Sequence, residues 1–424
     1  MKNYTSNYSK KYYYLIFITL MFFYIYSPPI NIPLMPIRIV ALISYIVLLL
    51  CYKKEVNNLF TLKITYNTIF IFFGALLLSF FIDLFSAGMF RYSYDLLLFL
   101  IEVFPISVFL SIFALKTLNM SLDDFYTSII VVGMLQALVV FIMIIYPDLR
   151  LYTFETLLRY GEESKIIALL GERSYGFADG YLYSFPVFQG IVLMLIILFI
   201  IKKSYLYILS IPFILISIVV NARIGLVAIP VIFFVGIFLN FFKIKLISVG
   251  KFAVILIVFI VLTNFLLSFL LNINVDFINI KGIYEWNYAA IEDVTNFLQG
   301  KGSGTTIGEL QRMVYIPSGL SLLFGEGMYI FSNPAYPLSS DVGYVINLYY
   351  GGIIYSLLVY GGVLMIFYKA LQYNKDWMHA ILLVSIVVLL FIVQIKGNIF
   401  SVSEAFKGSM LICIFTIMKQ LLSY

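Results

Sequence analysis

The sequence predicts an all-α polytopic membrane protein, because of its composition and because its apolar runs are long and continuous. Of 424 residues, 63% are hydrophobic and 11% are charged, and the mean hydropathy is +1.04. A soluble domain carries about a quarter charged residues. Many of the apolar runs approach the ~20 residues that a helix needs to cross the hydrocarbon core, whereas a barrel would show alternating segments of ~10 residues.

The few cysteines and histidines exclude several kinds of site. Cys51 and Cys413 both lie in or beside apolar runs, and His379 is the single histidine. This spacing resembles no Cys/His metal site, and catalysis by several imidazoles is excluded. The formal charge of +6 is typical of lysines on the cytoplasmic loops of a membrane protein. The sequence therefore predicts no metal, no cofactor and no nucleic-acid partner.

In order along the chain, the apolar runs predict about twelve transmembrane helices. The first run follows Lys10 and Lys11, and no small-residue cleavage site comes after it, so we expect an uncleaved span. The later expected spans are 34–52, 66–86, 92–115, 126–146, 185–201, 205–221, 223–242, 249–271, 342–368, 378–395 and 404–420. They divide the chain into helices 1–5 (1–146), a loop (147–184), helices 6–9 (185–271), a large loop (272–341) and helices 10–12 (342–424).

The lysines predict the orientation, because they fall in alternate short loops and near both termini. Those in the loops are Lys53, Lys54, Lys63, Lys116, Lys202, Lys203, Lys243, Lys245, Lys251, Lys369 and Lys375. By the positive-inside rule this side is cytoplasmic. Both termini are then inside and the two large loops are outside, with short surface helices expected near 281–299.

The arginines lie on or near the opposite face. The seven are Arg38, Arg91, Arg150, Arg159, Arg173, Arg223 and Arg312. A guanidinium is always charged and can grip phosphate or carboxylate with two parallel hydrogen bonds. This placement favours an outward-facing site for an anionic ligand. The alternative is that the arginines pair with acidic side chains and lipid phosphates.

Two short segments are candidate parts of that site. Residues 221–226 (NARIGL) form a short outer connection, in which Arg223 could hold a lipid-linked phosphate and Gly225 would permit close backbone approach. An interfacial arginine that snorkels to the surface is the alternative. Residues 171–180 combine Arg173, Tyr175 and Asp179 with glycines and aromatics. That mixture suits a sugar site, although a structured turn with an Arg–Asp pair would look similar.

The second large loop supplies the remaining candidates. Arg312 begins a segment that runs to a Gly325-Glu326-Gly327 turn, and Asp341 and Tyr344 stand at the start of the next apolar run. Asp341 is a candidate base, or simply the N-cap of the next helix. Tyr344 lies one helical turn further on.

Glu102 is unusual because it lies in the middle of an expected span. An ionised carboxylate there costs about 2.5–3.5 kcal/mol on insertion scales, so it should face the bundle interior, be protonated or pair. Candidate members of such a network are Arg38, Asp83, Arg91 and Asp95. A structural polar contact and a proton relay both remain open.

Taken together, these segments resemble the Wzy-type O-antigen polymerases and their relatives, the O-antigen ligases. NARIGL (221–226) is similar to the family's Ser/Asn-x-Arg-x-Gly-Leu signature. Arg312 through LLFGEG (312–327) is similar to the Arg…Phe-Gly-x-Gly segment of the large periplasmic loop. SDVGYVINLYYGG (340–352) is similar to the Ser-Asp-x-Gly-Tyr…Gly-Gly segment that follows.

The resemblance implies a multi-pass enzyme of the bacterial inner membrane with its active site facing the periplasm. It would join oligosaccharide repeat units carried on undecaprenyl pyrophosphate, without metal, since the lipid pyrophosphate is the leaving group. Arg223 and Arg312 would contact the pyrophosphate and Asp341 would activate the acceptor hydroxyl. The expected substrate-binding residues are Arg173, Tyr175, Asp179, Gly325, Gly327 and Tyr344. Its partners would be membrane lipid and, optionally, a chain-length-regulating membrane protein.

Two rival functions stay open at this level. A lipid-linked oligosaccharide flippase or ion-coupled transporter would fit twelve spans and Glu102, although carriers usually place their site near the midplane. An O-antigen ligase would differ in its acceptor. The ligase branch usually has a histidine near the start of the helix where this chain has Asp341, while His379 falls on the cytoplasmic side. That departure favours a polymerase.

Overall fold

The structure is a computed structural model in which much of both large loops and the expected span at 249–271 lie outside the described residues. The described residues are 2–28, 30, 36–61, 63–86, 91–153, 174–178, 183–202, 205–240, 296, 299, 306–328, 330, 339–373, 376–400 and 402–422. Their regular elements are helices. Structural statements below concern these residues.

The first half of the chain folds into helices joined by short connections. They are α1 (Lys2–Tyr26), α2 (Pro36–Cys51), α3 (Lys53–Thr61), α4 (Lys63–Phe85), α5 (Arg91–Leu98), α6 (Phe104–Ile112), α7 (Leu122–Ile145) and α8 (Pro147–Tyr152). A π-helical turn, Phe99–Val103, joins α5 to α6, and a second, Phe113–Thr117, follows α6 at the end of the same helix. Helix α7 begins at a capping box, in which the Ser121 and Asp124 side chains each accept the other's backbone N–H.

The second half continues the same pattern around two 3₁₀ turns, Tyr205–Ser210 and Arg223–Val227. The α-helices are α9 (Ser184–Lys202), α10 (Ile211–Val219), α11 (Ala228–Asn240), α12 (Thr306–Arg312), α13 (Leu320–Phe324), α14 (Gly343–Tyr373), α15 (Trp377–Val393) and α16 (Glu404–Leu422). Apart from the expected span at 249–271, every apolar run predicted from the sequence therefore overlaps a helix.

These helices have the length and composition of a multi-pass membrane protein, as the sequence predicts. Six in the described residues are long and apolar enough to cross a membrane, and a seventh is obtained if α2 and α3, bent by 97°, form one broken span. Helices α10, α11 and α15 belong to shorter apolar stretches. The count of twelve spans, the orientation and the domain boundaries stay predictions.

Helix α9 occupies the middle of the bundle. Within its spanning window 89% of the residues are buried, compared with 28% for α4. It contacts α7, α10, α11, α15 and α16. A helix that is hydrophobic all round belongs inside a bundle, whereas the apolar and largely exposed surface of α4 is suited to hydrocarbon. This difference places α9 at the centre and α4 at the periphery.

Candidate functional site at one end of the helical bundle

The connection between α10 and α11 carries Arg223 and is fitted tightly to the start of α9. Arg223 opens a 3₁₀ turn, with its side chain partly exposed, and Gly225 within the turn is buried. A Cβ at Gly225 would collide with the backbone carbonyl oxygen of Pro186. The close backbone approach expected at Gly225 is confirmed. It holds the turn that carries Arg223, two residues before the glycine, against the start of α9.

The same turn is joined to the end of the first large loop. The Asn221 side-chain amide donates to the Ser174 carbonyl oxygen at 2.7 Å, and the Gln136 amide donates to the Tyr175 carbonyl oxygen, also at 2.7 Å. Gly176 lies against Gln136 with φ +62°. Two of the segments singled out in the sequence, 171–180 and 221–226, therefore meet in space.

Of the three predicted sugar-binding residues of the first large loop, the structure describes only Tyr175. Tyr175 is 1% exposed, so its ring packs inside the protein, and sugar binding by this residue stays a prediction. This burial agrees with the structured turn that was the alternative for this segment. Arg173 and Asp179 lie outside the described residues, and their roles stay predictions.

Helix α14 is broken at Gly352, and the Gly325-Glu326-Gly327 turn is docked on the break. Gly352 has φ +67° and ψ −164°, which interrupts the helical hydrogen bonds. The carbonyl oxygens of Tyr349 and Tyr350 accept instead from the backbone N–H groups of Glu326 (2.7 Å) and Gly327 (3.0 Å). A break in a helix is stable when other groups satisfy the freed carbonyls, and the turn supplies those donors.

We name the contact between the Gly325-Glu326-Gly327 turn and the break at Gly352 the joint. Glycines are needed on both sides of it. Gly325 and Gly327 have φ +76° and +68°, a region that side chains disfavour. A Cβ at Gly325 would collide with the Tyr350 carbonyl, and one at Gly352 would collide with the backbone of Leu323. The structure thus gives Gly325 and Gly327 a packing role. Contact of these two glycines with substrate stays a prediction.

Arg312 and Asp341 lie on neighbouring segments that Ser340 ties together. The Ser340 hydroxyl donates to the Met313 carbonyl oxygen at 2.8 Å, and the Ser340 backbone N–H donates to the Ile330 carbonyl oxygen at 3.1 Å. Arg312 is exposed and Asp341 is partly exposed. The bond between Ser340 and Met313 therefore brings together the two chain segments that carry Asp341 and Arg312.

The interpretation of Asp341 as a helix N-cap is wrong. Helix α14 begins at Gly343, two residues downstream, and the Val342 N–H donates to the Ser340 hydroxyl oxygen at 3.2 Å. The Gly343 N–H donates to the Gln394 carbonyl oxygen at 2.9 Å. Since the N–H groups of Val342 and Gly343 have these other partners, capping of them does not explain the carboxylate at Asp341.

Tyr344 is directed toward helix α15. Its hydroxyl donates to the Phe391 carbonyl oxygen at 2.7 Å, and its ring lies 5.6 Å from that of Tyr360. The side chain is half-buried. Its observed contacts hold α14 against α15, and substrate binding by this residue stays a prediction.

A series of contacts connects the Asp341 side of the site to the Arg223 side. Gly343 packs against the carbonyl of Gly397, and Gly397 in turn packs against the ring of Tyr183. Tyr183 directly precedes α9. The backbone carbonyl of Pro186, in the first turn of α9, lies against Gly225. The segments with Arg223, Arg312 and Asp341 therefore reach the same end of the bundle and are linked there through the start of α9.

Glu102 is a buried carboxylate in the helix that α5 and α6 continue. Glu102 sits in the π-helical turn Phe99–Val103 and is 3.8 Å from the Arg38 guanidinium. The Tyr45 hydroxyl donates to the Ile101 carbonyl oxygen at 2.6 Å within the same turn. Of the three expected arrangements, Glu102 shows burial together with pairing, and the choice between a structural contact and a proton relay stays open. π-helical turns occur frequently at functional sites.

Asp83 does not join Glu102, contrary to the sequence prediction. Its carboxylate oxygens accept from the Ser93 hydroxyl at 2.5 Å and from the Tyr350 hydroxyl at 2.8 Å. Tyr350 also stacks on Tyr92 with ring centroids 4.0 Å apart. Asp83 therefore lies next to the break in α14, because its own helix α4 packs against α14 there.

Sequence reasoning missed the two charged residues at the start of α16. Lys407 is buried and donates to the Ser27 hydroxyl at 2.6 Å, and Glu404 is buried and accepts from the Ser184 hydroxyl. They are three residues apart and so share a helix face. Their presence in an apolar run was the signal available, since charges within a span usually face the bundle interior.

Burial of the Arg150 guanidinium in α8 lowers its pKa to about 10, so it stays charged at neutral pH. Among the described residues, no group of three or more His, Cys, Asp and Glu side chains could hold a metal ion.

Comparison with protein-family models, with curated proteins and with solved structures finds no match to this chain.

Proposed function

We propose that this protein is a glycosyltransferase of the O-antigen polymerase type, acting in the bacterial inner membrane with its site facing the periplasm. The observation that supports the proposal is the bond from Ser340 to Met313, which joins the two residues that adjoin partly exposed Asp341 and exposed Arg312 in the chain. These are the residue types that the reaction requires. They stand at the end of a membrane-type bundle that also carries Arg223.

The proposed reaction transfers a glycan from one lipid carrier to another. The acceptor hydroxyl attacks the anomeric carbon of the donor glycan, and the bond from that carbon to the pyrophosphate oxygen breaks. The leaving undecaprenyl pyrophosphate takes the bonding electron pair, and Asp341 takes the hydroxyl proton. One direct displacement inverts the configuration at the anomeric carbon.

The arginines would act on the leaving group. Negative charge builds on the pyrophosphate as the bond breaks, and a preorganised donor aimed at such charge is worth about 3–4 kcal/mol. Arg223 and Arg312 are the proposed donors. Arg223 is held by a turn that is locked against Pro186, and this fixed position favours preorganisation.

Formation of a polymer ladder tests the proposal. The purified protein in lipid nanodiscs is incubated with lipid-linked repeat units extracted from the organism's own membranes, and the products are separated by size. A polymerase extends these units into a ladder with no other acceptor. If folded protein leaves the repeat units unextended, the proposed activity is wrong. A ligase would need a different acceptor, so extension only on addition of that acceptor would identify a ligase instead.

Transport is the second candidate function, and one observation favours it. Glu102 is buried in a π-helical turn and lies 3.8 Å from the exposed Arg38 of α2, and buried ionisable residues often mark transport pathways. Protein reconstituted in liposomes with a fluorescent lipid-linked oligosaccharide separates the two functions. A flippase exposes the label to an external quencher over time, while a polymerase changes the product length.

A further inference from the structure

Residues 313–328, which we name the elbow, run along α14 and back. Ser340 bonds to both ends of this segment. Its hydroxyl donates to the carbonyl oxygen of Met313, the first residue of the elbow, and its backbone N–H donates to that of Ile330, two residues after the elbow. The tip is held where Glu326 and Gly327 donate to Tyr349 and Tyr350. Six or seven residues of helix separate Gly343 from that point, so the tip lies about 10 Å further along α14.

Large apolar side chains point away from the protein along the elbow. Leu320 is 74% exposed and Phe324 is 55% exposed. The full set in the elbow is Val314, Ile316, Leu320, Leu323, Phe324 and Met328. Exposed apolar patches of this kind mark sites of membrane or protein contact.

The surface next to the elbow indicates which contact this is. Gly327 packs against Ser86 and Ile82 at the end of α4, with 2.6 Å between the Ser86 Cβ and the position that a Gly327 Cβ would take. Helix α4 is largely exposed along its spanning window. At this end its exposed side chains are Phe80, Phe81, Leu84 and Phe85. The apolar face of the elbow therefore continues the surface that α4 presents to hydrocarbon.

We propose that the elbow enters the surface layer of the bilayer, with Leu320, Leu323 and Phe324 among the lipid acyl chains beside the end of α4. The insertion is shallow because Glu326 at the tip is exposed, and a carboxylate stays in the headgroup layer. The consequence is that Arg312, which directly precedes the elbow, is held at a fixed height above the bilayer. The inference holds whatever reaction the protein performs.

Fluorescence quenching tests this placement. Single cysteines replace Leu320 or Phe324 in a background with Cys51→Ser and Cys413→Ser, and each is labelled with an environment-sensitive fluorophore. The proteins are reconstituted in nanodiscs of synthetic phosphatidylcholine, which contain no polyprenyl lipid. We expect blue-shifted emission that is quenched by a spin label placed near the headgroup end of the acyl chain and protected from iodide.

Two control positions calibrate the measurement. Leu84→Cys, on the exposed face of α4, should be quenched by the lipid spin label. Gln311→Cys, exposed just before the elbow, should be quenched by iodide instead. If both elbow labels follow Gln311→Cys, the elbow faces water and is a surface for a soluble partner, and the proposal is overturned. Using two elbow positions guards against one variant that fails to fold.

Discussion

At the scale of single residues, the strongest candidate for a role in chemistry is Arg312. It is exposed, and no ion pair with another described residue neutralises it. Asp341 lies on the neighbouring segment and has lost its structural explanation, since Ser340 serves the start of α14. A cation and a carboxylate that the fold does not use for its own hydrogen bonds are available to a ligand.

Replacing Arg312 should slow elongation while leaving the protein folded. We expect Arg312→Ala to lower the rate by about 10²–10³, the usual cost of removing one donor to developing negative charge. Arg312→Lys should recover part of this loss, because lysine keeps the charge but loses the two-point grip. The measurement is the rate of ladder formation at saturating lipid-linked repeat units.

The control for this prediction is the neighbouring Gln311→Ala, which changes an exposed residue at the end of the same helix. Its rate should equal that of the unmodified protein. Equal rates for Arg312→Ala and Gln311→Ala would remove Arg312 from the proposed chemistry.

The buried charged residues of the bundle differ from Arg312 and Asp341, because each has a partner within the protein. Glu102 pairs with Arg38, Lys407 bonds to Ser27, and Glu404 bonds to Ser184. A buried charge is costly unless it is paired and hydrogen-bonded, and each of these has at least one partner. The first contact joins α2 to the π-helical turn, and the other two join α16 to the end of α1 and to the start of α9.

At the scale of elements, two of the sequence motifs, the Phe-Gly-x-Gly turn and the Gly-Gly pair in α14, contact each other and form the joint. The Phe-Gly-x-Gly turn and the Gly-Gly pair in α14 had no stated relation in the sequence. In the structure the turn supplies the N–H groups that the broken helix lacks. Glycine is required because the two backbones approach more closely than a Cβ would allow.

Substitution of Gly352 should therefore disrupt the joint. Gly352→Ala places a Cβ against the backbone of Leu323 at a positive φ, and strain of this kind costs about 1–3 kcal/mol. We expect a lower midpoint of thermal unfolding in detergent. Protease should also cut the elbow faster, because its docking is weakened.

Gly361 in the same helix provides the matched control, since a Cβ there meets nothing within 4 Å. Gly361→Ala should leave the unfolding midpoint unchanged or raise it slightly, as expected for glycine to alanine within a helix. If both substitutions have the same effect, the joint does not contribute to stability.

The local features were predictable from sequence, and the contacts between distant segments were not. Gly225 and the Gly325–Gly327 turn were expected because glycine has a local conformational meaning. The bond from Tyr350 to Asp83 and the tie between Ser340 and Met313 join residues far apart in the chain. Such pairings depend on which helices pack together, and hydrophobic periodicity does not specify that. The N-cap interpretation of Asp341 failed for the same reason.

At the scale of the whole molecule, the proposed function depends on the side of the membrane that the site faces. The alternating lysines predict that the end with Arg312 is periplasmic and the end with Lys53 is cytoplasmic. The structure is consistent with a multi-pass bundle, and a labelling experiment can determine its direction.

We expect a membrane-impermeant maleimide to label Gln311→Cys in spheroplasts with intact inner membranes. Lys53→Cys should be labelled only after the membrane is permeabilised. Both variants carry Cys51→Ser and Cys413→Ser. Gln311 and Lys53, the two positions to be labelled, are exposed. The reverse labelling pattern would place the arginines in the cytosol, where the periplasmic polymerase reaction could not take place.

The tight fit between Gly225 and α9 has a consequence for how such chains can diverge. A Cβ at Gly190 would press on the carbonyl of Gly225, and a Cβ at Gly225 would press on Pro186. Enlarging either glycine pushes the helix and the turn apart. Among descendants of a common ancestor, positions 190 and 225 should both remain glycine, because each Cβ would meet backbone atoms that no substitution at the other position removes.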